Sequence, residues 1–389
     1  MTKPHTGPLS GLKILEIEAI GPVPFCGMIL ADLGAEIIMV NRMTRSGLGI
    51  PCDEKYDTLS RGRRSIALDM KSADGKEIVK KLAMKSDILM EGMRPGVMEK
   101  LGLGPEELTA LNPKLIYARM TGWGQTGERA QIAGHDINYI SLNGTLGTFG
   151  PKDSPPMIPL NMMGDYGGGG LFLVIGILAA ALESKASGKG QVIDVAMIDG
   201  SNYLMSVIHM LSAGGVWKDG LRGSNPLDGG LPFYSIYETS DAEYMAVGAL
   251  EPKFYKELLR GLGIDGSDLP AQNDPAGWDE MRRIFTDRFK SRTQAEWTKI
   301  FNSTDACTTP VLTMTGSRQD KINQNRGLYS LSGDVSVPTP APRFSRTKTF
   351  VAGPPVKAGN DTVDILSDLG ISAADTRKLI DQGIVKTGK

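Results

Sequence analysis

Cysteine and histidine are both scarce in this chain of 389 residues, with three of each. The cysteines are scattered without C-x-x-C spacing, which argues against a disulfide framework or a zinc site and indicates a reducing compartment. His135 makes no H-x-x-x-H pattern with either of the other histidines, so no metal site is expected.

The chain also lacks an excess of charge of either sign. Its 43 basic and 44 acidic residues give a formal net charge of −1. Such a balance provides no overall field to hold nucleic acid or an anionic membrane surface, so neither is expected as a partner. An anionic ligand would have to be held by a local cluster of cations.

Long apolar runs are missing as well. The first residues contain no run of signal-peptide type and the last three are not Ser-Lys-Leu, so we expect the cytoplasm. The longest apolar run, from Leu171 to Leu182, is shorter than a bilayer requires and ends in charged and polar residues. We expect it to form a buried core helix and not a membrane span.

A further absence is the G-x-G-x-x-G turn of dinucleotide-binding folds. The first sixty residues have the pattern strand, helix, strand, which predicts a βαβ unit on a parallel sheet. The turn, however, is Gly21-Pro22-Val23-Pro24, and its prolines remove two backbone donors that a pyrophosphate would need. NAD is therefore disfavoured. Arg42, a cation after the second strand, suits a sugar phosphate instead.

Alternation of strand and helix patterns continues to about Asp199 and predicts a doubly wound α/β domain. From Leu227 to about Val311 the pattern changes to paired strand-like runs followed by amphipathic helices, which predicts a smaller α+β domain. The segment from Ser330 to Pro355 is rich in Pro, Ser and Thr, and we expect an extended linker there.

Two polar residues stand out beside glycines. Asp165 precedes four glycines, Gly167 to Gly170, at the entrance of the apolar helix, where amide donors could stabilise an oxyanion. A simpler interpretation makes Asp165 a helix N-cap. His135 lies in the glycine-flanked segment AGHDINY, and a histidine in such a place is more often structural than catalytic.

Long motifs in sequence order change this balance. The segments GPLSGLKILEIEAIGPVPFCGMILADLGAEII, EGMRPGVMEKLGLGPEEL, AGHDINYISLNG, GDYGGGGLFLVIGILAA and VGALEPKFY resemble the family III CoA-transferase superfamily, and within it the racemase branch. The resemblance covers almost the whole chain. It implies that His135 and Asp165 are two bases acting at the carbon next to a CoA thioester. It further implies that Glu251 orients the histidine and that Asn161 lies near the aspartate.

The resemblance also implies where CoA is bound. A single arginine or lysine is more often a solvated surface residue, so only the matching motifs favour a role for these residues in binding. The binding residues implied are Arg42, Leu68, Asp69, Met70, Lys71, Gly92, Met93, Arg94, Lys100, Gly134, Asp136, Ile137, Asn138 and Tyr139.

Fold and assembly follow from the same resemblance. It implies an α/β fold with a large Rossmann-like domain formed by both chain ends, a smaller α+β domain, and an interlocked homodimer. The predicted boundaries are 1–199 with 341–389 for the large domain, 227–317 for the small domain, and linkers at 200–226 and 318–340.

The implied reaction interconverts 2R and 2S 2-methylacyl-CoA thioesters by 1,1-proton transfer through an enolate. No cofactor is expected, because CoA is part of the substrate. One alternative is a CoA transferase in which Asp165 attacks as a nucleophile and His135 is not needed. Another is a non-catalytic acyl-CoA carrier, which would have lost one of the two bases.

Overall fold

The computed structural model describes residues 6–44 and 47–388. His5, the start of the N-terminal segment and Lys389 lie outside the described residues. Contacts divide the chain into two units. The first comprises Met1–Asn143, Leu160–Leu204 and Ile322–Lys389, and the second comprises Gly144–Pro159 and Met205–Lys321.

Strands and helices alternate through the first part of the chain. The strands are β1 (Lys13–Ile17), β2 (Glu36–Asn41), β3 (Arg63–Leu68), β4 (Ile88–Glu91), β5 (Ile116–Thr121), β6 (Val192–Ala196), β7 (Tyr234–Glu238), β8 (Tyr244–Gly248), β9 (Thr308–Pro310), β10 (Tyr329–Ser332), β11 (Val335–Pro338) and β12 (Val385–Lys386). The α-helices are α1 (Pro22–Asp32), α2 (Ala73–Met84), α3 (Val97–Lys100), α4 (Pro105–Leu111), α5 (Asp136–Leu142), α6 (Phe172–Ser187), α7 (Met197–Leu204), α8 (Ser206–Ala213), α9 (Pro252–Leu262), α10 (Trp278–Phe289), α11 (Gln294–Phe301), α12 (Met314–Gln319), α13 (Lys321–Arg326), α14 (Thr362–Asp368) and α15 (Ala373–Asp381). A π-helical stretch, Met162–Leu171, runs directly into α6 and is called the π segment below.

A seven-stranded sheet organises the first unit, with the order β12-β3-β2-β1-β4-β5-β6. Neighbouring strands from β3 to β6 are parallel, and β12 pairs antiparallel with β3 at the edge. This confirms the predicted doubly wound α/β fold. The chain order reverses between β1 and β4, and a crevice at the carboxyl ends of such strands is where open α/β sheets bind ligands.

Each face of this sheet is covered by helices. On one face α1 and α6 pack against side chains such as Ile14, Ile37 and Ile116. On the other face α2, α4 and α14 pack against Leu15, Leu89 and their neighbours. The alternate residues of one strand thus enter two different cores, which explains why the strand sequences read as continuous apolar runs.

The end of the chain completes the sheet. Asp361 accepts a hydrogen bond from the backbone N–H of Ser65 on β3 at 2.8 Å, and the hydroxyl of Thr362 donates to the carbonyl of Lys386 at 2.7 Å. Ile365 and Val385 are buried in the same core as β3. The segment after residue 340 therefore contributes core side chains as well as an edge strand.

The second unit has a small antiparallel sheet, β7-β8-β9, covered by α9, α10 and α11. Its core is aromatic, with Phe285, Phe289 and Trp297 fully buried. Residues 144–159, placed in the large domain by the sequence boundaries, belong to this unit. The segments expected to be linkers also contain regular structure, since α7 and α8 occupy much of 200–226, and α13 with the β10–β11 hairpin occupies much of 318–340.

The π segment and α6 form one continuous helix, Met162–Ser187. Among the described residues it is the one helix long and apolar enough to cross a membrane by length and composition. Only 39% of its most apolar stretch is buried, and Ile175 and Leu182 are exposed. The expected core helix therefore begins earlier than Leu171, and it buries one face rather than its whole circumference.

Candidate active site

The predicted CoA-binding cations lie at one edge of the parallel sheet. Arg42 directly follows β2, Lys71 follows β3 and Arg94 follows β4, and the carboxyl ends of parallel strands meet at the same edge. Lys100 is the last residue of α3, a short helix after the β4 loop. All four side chains are exposed. The fold thus brings together cations that are far apart in the sequence.

Two carboxylates that sequence reasoning missed hold these loops. Glu18 follows β1 and accepts the backbone N–H of Arg42 at 2.6 Å. Glu91, the last residue of β4, is fully buried and accepts the N–H of Met93 at 2.6 Å. The sequence signal that could have identified them is an acidic residue at the end of each of two strand-like runs, LEIE and LMEG.

Other residues of the predicted CoA site face the core. Leu68 is 1% exposed, and Met70 and Met93 pack against the same hydrophobic cluster. Their side chains stabilise the loops, so contact with a ligand would be made through their backbone. Asp69 accepts the N–H of Lys71 at 2.9 Å, which forms a tight turn after β3. At Gly92 an added Cβ would lie 3.0 Å from that of Ala19, so the loop requires glycine's small size.

His135 is the N-cap residue of α5 and its side chain is exposed. Its backbone N–H donates to the Asn138 side chain at 3.0 Å. Tyr139 is buried, its ring packs edge-on against Trp123, and its hydroxyl donates to the carbonyl of Gly134. Asn138 and Tyr139 therefore fix the backbone on either side of His135, while Ile137 remains partly exposed.

Asp165 lies in the first turn of the π segment and is half-buried. The Asn161 amide donates to its carboxylate at 3.1 Å, in agreement with the predicted proximity of the two residues. The N-cap residue of the segment is Asn161, so the alternative that Asp165 is the N-cap is wrong. Sequence reasoning also missed Gly21, whose Cβ, if present, would lie 3.4 Å from the Asp165 carboxylate. Its φ of 69° requires glycine at this close approach.

Burial raises the pKa of Asp165 above its ordinary value, and the nearby charge of Asp136 acts in the same direction. The hydrogen bond from Asn161 and the imidazole of His135 both lower it. His135 and Asp165 therefore lie within electrostatic reach of each other. A carboxyl with a raised pKa is better suited to hold and release a proton than an ordinary surface aspartate.

The glycines after Asp165 have a different role from the one expected. A Cβ on Gly168 would lie 2.4 Å from the backbone nitrogen of Ser201, and a Cβ on Gly200 would lie 1.9 Å from the carbonyl oxygen of Gly168. Gly167 to Gly170 lie inside the continuous helix, so their amides are not the N-terminal donors proposed for an oxyanion. Instead they let α7 pack directly against the backbone of the π segment.

Glu251 is in the second unit, where it is exposed at the N-cap of α9. Its pairing with His135 stays a prediction. Among residues 6–44 and 47–388, no three His, Cys, Asp or Glu side chains come together as metal ligands would.

The sequence model of CoA-transferase family III matches residues 9–362. The chain belongs to CoA-transferase family III. This confirms the family that the motifs indicated.

Two family III relatives match nearly the whole chain. α-Methylacyl-CoA racemase from Mus musculus is 45% identical over 98% of this chain and 98% of the relative. The protein of the same name from Homo sapiens is 42% identical, again over 98% of each. A solved structure of a CaiB/BaiF family protein from Brucella suis superposes with a TM-score of 0.79 at 27% identity, covering 94% of this chain and 100% of that one.

Proposed function

We propose that this family III protein is an α-methylacyl-CoA racemase that interconverts 2R and 2S 2-methylacyl-CoA thioesters. One observation carries the proposal. His135 and Asp165 are both present in a single unit, within electrostatic reach, and the pKa of Asp165 is raised. A transferase that uses the aspartate as a nucleophile has no need of the histidine, and an acyl-CoA carrier has no need of either base.

The reaction requires removal of a weakly acidic proton and its return from the opposite side. In the proposed mechanism neutral His135 takes the α-proton of the 2S thioester, and protonated Asp165 supplies a proton to the resulting enolate. For the 2R thioester the roles reverse, with Asp165 as base and the imidazolium of His135 as acid. A positioned base or acid of this kind contributes on the order of 10²–10⁴-fold to the rate.

We further propose that Arg42, Lys71, Arg94 and Lys100 bind the phosphates of CoA. All four are exposed; the first three follow the carboxyl ends of β2, β3 and β4, and Lys100 ends the short helix after the β4 loop. Glu251 would orient His135 and stabilise its charged form. CoA enters as part of the substrate, and no separate cofactor is required by this mechanism. We place the reaction in the cytoplasm.

An interlocked homodimer completes the proposal. The exposed apolar residues Leu171, Ile175, Leu182 and Tyr203 lie on α6, its start and the adjacent α7. The spacing of Leu171, Ile175 and Leu182 puts them on one side of the continuous helix, and an exposed apolar helix face is typical of a surface that a partner covers. A second copy of the chain is the proposed partner.

Incubating a single enantiomer of a 2-methylacyl-CoA with the protein in D₂O tests the reaction. We expect α-deuteration and loss of optical purity without any added acid, because the two bases exchange the proton with solvent. The variants His135→Ala and Asp165→Asn should each lower the racemisation rate by about 10²–10⁴-fold. His209→Ala, which removes an exposed histidine of the second unit, is the matched control.

A different outcome would contradict the racemase proposal. A protein that leaves 2-methylacyl-CoA unchanged until a second carboxylic acid is supplied, and that retains this activity as His135→Ala, would be a transferase with Asp165 as its nucleophile.

A further inference from the structure

Asp136 is the first residue of α5 and directly follows His135. Asp136 is 5% exposed, so its side chain is turned into the protein. One carboxylate oxygen, Oδ2, accepts the backbone N–H groups of both Gly164, at 2.6 Å, and Asp165, at 2.8 Å. The other oxygen, Oδ1, is buried and has no hydrogen-bond partner among residues 6–44 and 47–388.

These two hydrogen bonds replace a missing helix cap. The first N–H groups of a helix have no partner within it, and a side chain from the N-cap residue usually accepts one of them. Here the N-cap residue, Asn161, makes no such bond, because its amide is turned toward the Asp165 carboxylate. Asp136 caps the π segment from another helix, and this leaves Asn161 available to Asp165.

We propose that Asp136 is a positioning residue that sets the spacing of the two bases, because its carboxylate joins the backbone of His135 to the backbone of Asp165. Adjacent Cα atoms are about 3.8 Å apart, so one short side chain and one hydrogen bond separate the two positions. The contact also leaves no spare room, since a Cβ on Gly164 would lie 2.6 Å from the same Oδ2.

The charge of Asp136 gives this contact a second effect. Several groups surround Asp165: Asp136, His135 and Tyr139 from α5, Asn161 from its own segment, and the backbone of Gly21. Burial is the largest cause of its raised pKa, and Asp136 adds to it. Removing the charge of Asp136 while keeping its shape should therefore lower the pKa of Asp165.

This inference rests on the proposed racemase function, and the pH profile makes it measurable. The form of the enzyme that carries one proton, shared between His135 and Asp165, reacts with either enantiomer. Gaining a second proton inactivates it, so the acid limb of kcat/KM reports the pKa of Asp165 as part of the pair. The acid limb must have the same pKa for conversion of 2R to 2S and of 2S to 2R. The enzyme forms that react with the two enantiomers differ only in whether His135 or Asp165 holds the proton.

We would compare Asp136→Asn, Asp136→Ala and Asp194→Asn. The asparagine can still accept the two N–H groups but carries no charge, so the acid limb should move to lower pH in both directions. The alanine loses both bonds, and kcat should fall by about 10²-fold with KM changed by less than about 3-fold, as expected for misplaced bases. Asp194 also accepts a backbone N–H, from Gln125 at 3.2 Å, but does not contact the bases, so Asp194→Asn is the matched control.

An unshifted acid limb in Asp136→Asn, or a folded Asp136→Ala with wild-type kcat, would overturn the inference. If Asp136→Ala does not fold, the pH profile of Asp136→Asn decides. If the wild-type protein exchanges no α-proton, the proposed function fails separately. Carbon-13 carboxyl shifts, with Asp165 assigned from Asp165→Asn, would still show whether Asp136→Asn lowers the pKa of Asp165.

Discussion

At the scale of single residues, Glu91, which holds the loop after β4, makes the stability of the protein depend on pH. Burial raises its pKa to about 7, although the N–H of Met93 and the guanidinium of Arg119 both favour the charged form. A carboxyl whose folded-state pKa exceeds its unfolded value binds a proton more tightly in the folded chain. Its contribution to stability is therefore complete below its ordinary value of 4.5 and is lost as the pH rises through about 7.

Glu91→Gln keeps the shape of the side chain and removes this titration. Between about pH 5 and about pH 8 the free energy of unfolding of the wild type should fall relative to the variant by up to about 3 kcal/mol. Urea denaturation at the two pH values measures the difference. Glu99→Gln is the control, because Glu99 contacts the same arginine from an exposed position and should leave the pH dependence intact. Equal pH dependence of the wild type and Glu91→Gln would refute this assignment.

At the scale of elements, the contact between α7 and the π segment leaves no room for a side chain, because backbone touches backbone there. Gly200→Ala would place a methyl group 1.9 Å from the Gly168 carbonyl oxygen. We expect a loss of about 1–3 kcal/mol or more and a lower kcat, since the helices must separate and Asp165 moves with its segment. Thermal melts and steady-state kinetics measure both.

Gly176→Ala on α6 is the matched control for that substitution. The added Cβ would lie 3.2 Å from a methyl group of Ile193. A small shift of that side chain relieves the contact and leaves the backbone in place. Alanine also favours the helix by about 1 kcal/mol over glycine. Equal destabilisation by the two variants would show that the contact between α7 and the π segment is not the cause.

The parallel sheet could be predicted from the sequence because short apolar runs alternate with longer segments of helical spacing. LKILEIE contains β1, EIIMV covers all of β2 except Asn41, and the predicted helix between them overlaps α1. The β10–β11 hairpin was missed because its Pro, Ser and Thr residues suggested a linker. β12 has two residues, which is too short for any periodicity, and it forms only because β3 offers an edge.

The candidate site was predicted by motif more fully than by local pattern. His135, Asp165 and Asn161 could be named because the family motifs are long, and the structure puts Asn161 against Asp165. The contacts of Asp136 and Gly21 with Asp165 could not be named, since each joins residues far apart in the sequence. Such contacts depend on how helices pack, and no local pattern encodes them.

At the scale of the whole molecule, the exposed apolar side of α6 is the basis for expecting a homodimer. Sedimentation at micromolar concentration should give twice the chain mass of 41.7 kDa. Ile175→Glu should shift the protein toward a single chain because it places a charge within the proposed interface. Val363→Glu, at a similarly exposed apolar residue of α14, is the control. A single-chain mass for the wild type would contradict the homodimer.

Because β12 and α14 come from the end of the chain, the first unit is not complete when β6, its last strand before the second unit, has been synthesised. Ile365 and Val385, which enter the core beside β3, are added only after the entire second unit has been made. At ordinary rates of synthesis that interval is on the order of ten seconds or more. During it the β3 edge lacks its partner strand, and such an edge is a template for pairing with other chains. On the ribosome, therefore, the aromatic core of the second unit can form before the sheet of the first unit, the unit that contains the two bases, is complete.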